Sequence, residues 1–244
     1  PYIFYITIML VTTEGIVLHQ IQYGDKEYIV HFYTKDFGKV SYLTKGNSRR
    51  SAMRTVLMQP FSIVELVADN QPSRRLNFLK ETKCAAPLVS IPYHPAKSVM
   101  AMFLCELLSR IFSEPHPDKN LYQFLRHSIL TFDAMTDGSA NFHLTFLIQL
   151  TRFLGFYPNL SHFHANVYFD MKNSVFTDTV PLSDFLTVEE SEKFAQLMRM
   201  DYTTMRMFKL SRTQRIEILE QILRYYRLHL PEFGELKSLS VVSE

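Results

Sequence analysis

DFGKVSYLTKGNSRRSAMRTVLMQPF, Asp36–Phe61, organises the chain around it. It opens on a turn at Asp36 and Gly38, passes through a short alternating apolar strand, and enters a basic loop. Lys39, Lys45, Arg49, Arg50 and Arg54 fall here against the single acid Asp36. A second apolar strand follows Pro60. A cation-rich loop held between two strands can track a phosphate backbone. The same charges can instead serve a solvated loop that keeps the protein soluble. Composition alone puts that plainer reading first.

Around this stretch, residues 9–82 read as β. Apolar and β-branched runs occur at Leu10–Leu18, Tyr28–Thr34, Val40–Thr44, Phe61–Val67 and Leu76–Leu79. Turn signals separate them: Gly24-Asp25, Asp36–Gly38, the basic loop, and Asp69–Ser73 with Pro72. In Glu27–Thr34 one face carries Tyr28, Val30 and Phe32, and the other Ile29, His31 and Tyr33. Both faces are partly apolar, as in a closed barrel packed on something else. Five short strands in about seventy-five residues fit a five-stranded barrel of the OB-fold kind, and an SH3-like barrel would give much the same pattern.

Pro87, Pro92 and Pro95 punctuate the next segment and place a domain boundary there, dividing residues 1–86 from 87–244. Helical spacing then takes over. Val99, Met102, Phe103, Leu107 and Ile111 mark a first helix over Ala96–Phe112. A second follows Asp118, and a third runs over Asn141–Leu154 to Gly155, the residue expected at a left-handed cap. Residues 156–182 break the pattern as an irregular insertion, with short strands at Ala165–Phe169 and Ser174–Thr177. Thr187–Glu190 and Ser211–Gln214 are capping-box signatures that start two more helices, reaching about Met200 and Leu230. Ser238–Glu244 reads as a mobile tail. The fold class is therefore α+β: an N-terminal five-stranded barrel, then an all-helical region with a small irregular and β insertion.

Composition narrows the function. The chain has 244 residues, 47% of them apolar, enough for a sizeable core. Its net charge is only +2, so a nucleic-acid surface must be a local patch. Two cysteines, Cys84 and Cys105, make no disulfide framework and suit a reducing cytoplasm. PYIFYITI at residues 1–8 is too short to span a bilayer. Met9 reads as an initiator with those residues as an upstream extension, a first edge strand being the competing account. No later run reads as a membrane helix.

There is no P-loop, GxGxxG, GxSxG or HExxH, so no catalytic constellation is expected. His162 and His164 read as loop histidines, because a metal needs three or four ligands and neither cysteine lies near. Glu189, Glu190 and Glu192 sit in the first turn of a helix, where acids favour its dipole. Arg74 and Arg75, in the last β-turn, can extend the basic surface. Tyr33, Tyr42 and Phe78 are candidates for base stacking or, alternatively, core. Arg110, Arg126 and Arg152 each belong to an apolar helix. They read as long side chains rimming the core, or as the edge of a groove for an acidic peptide.

GIVL at Gly15–Leu18, YGD at Tyr23–Asp25, FYTKDFGKVSYLTKGNSRR at Phe32–Arg50 and LMQPF at Leu57–Phe61 resemble the RecO family of bacterial recombination mediators. ELLSR at Glu106–Arg110, LGFYPNL at Leu154–Leu160 and RLHLPEFGELKS at Arg227–Ser238 continue the resemblance over nearly the whole chain. It implies an OB-fold followed by a helical domain, and a cytoplasmic, nucleoid-associated protein without a cofactor. It also implies binding of single- and double-stranded DNA, strand annealing, and recombinase loading with RecR on strands covered by single-strand-binding protein. Lys45, Arg49 and Arg50 would contact phosphates, with Lys39, Arg54, Arg74 and Arg75 widening the surface. Arg110 and Phe112 would form part of the groove for the acidic tail of single-strand-binding protein.

The sequence departs from the family in one respect. Many members carry a four-cysteine zinc module after the LGF-like motif, whereas Ser161–Pro181 holds no cysteine. No structural zinc is expected, and packing through Tyr168, Phe169 and Phe176 must take its place. His143 and Leu144 stand where family arginines precede LGF. Two other readings share the same features: an RNA-binding OB module with equal electrostatics, and a protein-interaction scaffold whose charge serves solubility.

Overall fold

β1, Leu10–Gln22, is the longest strand, and it serves two neighbours. Its first half pairs with β4, Ile63–Asp69, from Leu10↔Asp69 to Ile16↔Ile63. Its second half pairs with β2, Glu27–Thr34, from Gly15↔Thr34 to Gln22↔Tyr28. The register slips between Val17 and His19, a bulge that bends the strand from one partner to the other. β3, Gly38–Lys45, runs back along β2, and β5, Asn77–Ala86, runs back along β4. A short parallel contact, Tyr42↔Asn77 and Leu43↔Phe78, joins β3 to β5 and closes the ladder in the order β1-β2-β3-β5-β4. This is a computed structural model that describes residues 10–45, 56–70, 76–112 and 115–239.

Alternation along the strands fills the interior. Val17, Val30, Phe32, Tyr42, Met58, Val64, Leu66, Ala68 and Leu79 form one buried cluster. Gly15 sits where a Cβ would lie 3.0 Å from Leu66 Cδ2 and 3.2 Å from Thr34 Cγ2, so the crowded crossing of β1 takes glycine. β5 extends well past the expected end at Leu79, because Lys80, Glu81 and Lys83 face solvent while the backbone continues to pair with β4.

Helix α1, Pro95–Ile111, begins with proline in its first turn, where a missing N–H costs nothing. It buries Phe103, Leu104, Cys105, Leu107 and Leu108, and Cys105 Sγ reaches the Val17 carbonyl at 3.6 Å. Just past the helix, Phe112 covers the outer face of β2 at Tyr33, which points out of the barrel and meets it with ring centroids 4.6 Å apart. Helix α2, Lys119–Ala134, is capped by Asp118, whose Oδ1 accepts from the backbone N–H of Asn120 and Leu121 at 2.8 and 3.0 Å. Tyr122 Oη and Arg126 Nε both donate to Glu14 Oε1 of β1 at 2.8 Å, so Arg126 serves the internal frame.

The chain forms two compact units. One holds the strands, α1 and α2 up to Asp133, with the chain returning to it from Leu236. Ser238 therefore departs from the mobile tail expected: its N–H and Oγ donate to Glu106 Oε2 at 2.9 and 2.5 Å. Residues 240–244 of that expected tail, and the extension at 1–8, lie outside the described residues.

The second unit, Ala134–Glu235, holds three helices and a small sheet. Helix α3, Phe142–Leu154, ends at Gly155 with φ 84°. Helices α4, Val188–Met198, and α5, Arg212–His229, each start with the expected capping box, on Thr187 and Ser211. The insertion forms β6, Tyr168–Asp170, β7, Val175–Thr177, and β8, Phe185–Leu186, in the order β7-β6-β8. Two residues of β8 are too few to show a period in sequence. Aromatic packing holds the insertion: Phe169 lies 4.9 Å from Phe176, 4.8 Å from Phe194 and 5.7 Å from Tyr225 by ring centroids. Tyr168 packs on Phe185 at 5.8 Å. No helix among the described residues is long and apolar enough to cross a membrane.

Candidate nucleic-acid interface

β3 delivers the basic loop. Its inward positions are Val40, Tyr42 and Thr44, so Lys39, Ser41, Leu43 and Lys45 take the outer face. Lys45 is exposed at the end of the strand, where the chain enters residues 46–55, with Glu27 as its partner across the ladder. Arg49, Arg50, Arg54, Arg74 and Arg75 lie outside the described residues.

Lys39 stands at the other end of the same strand, roughly 20 Å from Lys45 at the usual rise of about 3.3 Å per residue. There the turn presses on the chain before α2. A Cβ on Gly38 would come 2.5 Å from the His116 carbonyl oxygen, and its φ of +64° independently favours glycine. Lys39 Nζ donates to the Ser109 carbonyl at 2.8 Å, and burial lowers its pKa. The single basic surface read along the sequence thus contains cations at two separate places.

The candidate stacking residues also separate. Tyr42 is inside the barrel and Tyr33 is under Phe112 and α1, each at most 1% exposed, so neither offers a face to a base. Phe78 is 39% exposed, next to Leu43 of β3, with Lys80 Nζ 5.9 Å from its ring centre. Lys80 and Lys83 continue the exposed face of β5, with Glu81 between them and Glu65 of β4 opposite Lys83. Sequence reading missed both lysines because it ended the strand at Leu79. Alternating charge after an apolar run was the available signal.

Of the two residues assigned to a partner groove, Arg110 faces out and Phe112 faces in. Arg110 lies 3.7 Å from Glu106 one turn earlier, with 40% of its side chain exposed. Phe112 is 9% exposed and packs on Tyr33. In the second unit, Arg152 donates to Tyr157 Oη at 2.9 Å and lies over that ring. His164 meets Asp178 at 3.1 Å, both well exposed. No three metal-ligating side chains gather among the described residues.

The sequence model described as Recombination protein O N terminal matches residues 9–88, and that described as Recombination protein O C terminal matches residues 93–240. The chain belongs to the RecO family. DNA repair protein RecO of Bacteroides fragilis is 46% identical over 239 residues, spanning 97% of this chain and 99% of that protein. The RecO of Phocaeicola vulgatus is 44% identical over 238 residues, with the same shares. That of Porphyromonas gingivalis is 34% identical over 242 residues, spanning 96% of this chain and 98% of the relative. Membership in RecO places the chain in DNA repair and recombination.

Proposed function

We propose that this RecO-family chain is a non-enzymatic DNA repair mediator that binds single- and double-stranded DNA through its closed sheet and anneals complementary strands. The observation that carries the reading is the outer face shared by β3 and β5. There an exposed aromatic ring, Phe78, lies beside Lys80 and next to the strand that carries Lys45 into the basic loop. Cations with a stacking ring are what a single strand needs, since phosphates seek the charge and every base has a π-face. The strand order, with its short parallel β3–β5 closure, supports reading the barrel as an OB-fold.

Lys45, Arg49, Arg50, Arg54, Arg74 and Arg75 then neutralise phosphates on the loop side, and Lys39 adds charge at the far end of β3. Backbone charge supplies no base code, so binding is indifferent to sequence. Neutralised strands repel one another less, which favours pairing. The same reading gives the chain RecR as a partner in recombinase loading, and a cytoplasmic place at the nucleoid. It also gives the acidic tail of single-strand-binding protein a contact at Arg110, with Phe112 behind it. We assign residues 1–86 to the DNA-binding domain and 87–244 to the helical domain, a division that the family models, meeting between residues 88 and 93, support.

Annealing tests this reading. Complementary strands coated with single-strand-binding protein are mixed with the chain, and duplex formation is followed by fluorescence. The chain is expected to accelerate pairing, and to lose most of that acceleration when the coating protein lacks its acidic tail. Pairing no faster than the spontaneous rate on bare strands contradicts the proposal.

A further inference from the structure

A second feature of the first unit is built on β1 and β2. His19 and His31 are partners across the β1–β2 ladder, just beyond the bulge, and their rings stack with centroids 4.3 Å apart and planes 17° apart. His31 Nδ1 is 2.7 Å from Ser41 Oγ, and His19 Nδ1 is 3.2 Å from Ser109 Oγ, so serines fix both rings. The pair lines a cavity of about 680 Å³, together with Leu18, Pro60, Met102 and Lys39. Burial lowers the pKa of both imidazoles, that of His31 to about 4, so the stack is uncharged at neutral pH.

The rim of the cavity is cationic. Lys39, Arg110 and Lys237 line it, and among the described residues Glu106 is the one acid that does. Glu106 is paired with Arg110 at 3.7 Å and held by the returning chain: it accepts from the backbone N–H of Lys237 and of Ser238, both at 2.9 Å, and from Ser238 Oγ, so Lys39 and Lys237 carry the rim's remaining positive charge. Lys39 makes one hydrogen bond, to the Ser109 carbonyl, out of the three an ammonium can donate. Met102, 56% exposed, stands on the wall beside the histidine pair.

We propose that this pocket receives one nucleotide of a single strand, its base laid against the His19–His31 pair and Met102 and its phosphate set between Lys39 and Lys237. The volume is within the range of small-ligand sites. Neutral aromatic rings stack on bases, and the cations supply the charge a phosphate needs. An acidic peptide would use the cations but leave the imidazole stack idle, so the nucleotide accounts for more of the site. The inference rests on the DNA-binding reading above and adds a second point of contact to it.

Photocross-linking tests it. A short oligothymidylate carrying iododeoxyuridine is irradiated with the full chain, and the linked peptides are mapped by mass spectrometry. Cross-links are expected at His19, His31 or Met102. Met102→Asp, on an exposed position, should weaken oligonucleotide binding about tenfold, as expected for loss of one stacked base, with thermal unfolding unchanged. Lys237→Glu should act in the same direction. Cross-links confined to other peptides, with Met102→Asp binding like the parent, overturn the proposal. So does an acidic peptide that occupies the pocket while the oligonucleotide does not. A parent chain that binds no oligonucleotide at all defeats the DNA reading itself, whereas one that binds but links elsewhere defeats only the pocket.

Discussion

His143 lies on α3 with 4% of its surface exposed, and its Nδ1 has no hydrogen-bond partner. Burial, aided by the nearby Arg215 charge, pushes its pKa from 6.5 down to about 3. The folded chain therefore holds this imidazole neutral at pH values where the unfolded chain protonates it. Its contribution to stability is complete above about pH 6.5 and declines as pH falls toward the folded value, with a limiting slope of about 1.4 kcal/mol per pH unit. Chemical denaturation between pH 5 and 8 should show that decline, and His143→Leu should flatten it. An unchanged slope in the variant would contradict this account of His143. The residue also illustrates what one position conceals: its neighbours in sequence do not report that it is buried.

Asp133 acts on a whole element. The segment between β5 and α1 read as a boundary from its prolines, yet Asp133 at the end of α2 binds it firmly. Its carboxylate accepts from the backbone N–H of Val89 and Ser90 at 2.8 Å and of Ile91 at 2.7 Å. Lys97 of α1 adds bonds to Ser90 Oγ and to the Phe132 and Asp133 carbonyls. Asp133→Ala should cost at least about 2 kcal/mol, because three backbone donors lose a charged acceptor. Urea unfolding measures it, and a loss within error of zero would show that the clamp is unimportant. Elements with strong local signals are legible in the sequence: the two capping boxes, the Gly155 cap and four of the five barrel strands. β5 was cut short because half of it faces water, and β8 was missed because it has only two residues. Tyr33, Tyr42 and Phe78 look alike in sequence, and only the closure of the sheet decides which ring remains outside.

At the scale of the molecule, a chain with a formal net charge of +2 can bind a polyanion only by gathering its cations. The candidate site was legible as a run of bases but not as a surface, since β3 separates Lys39 from Lys45 by most of its length. What remains is Lys45 on β3, with Phe78 and Lys80 on the neighbouring strand, and the basic run of sequence that Lys45 opens. Replacing Lys45, Arg49 and Arg50 together by alanine tests that grouping most directly. Single-strand binding is measured over a range of salt concentrations for parent and variant. Each phosphate contact contributes about −0.7 to the slope of log K against log salt. The variant should therefore bind more weakly on every sequence, with a slope shallower by about 2. Equal affinity and an equal slope would mean that this loop does not hold the strand.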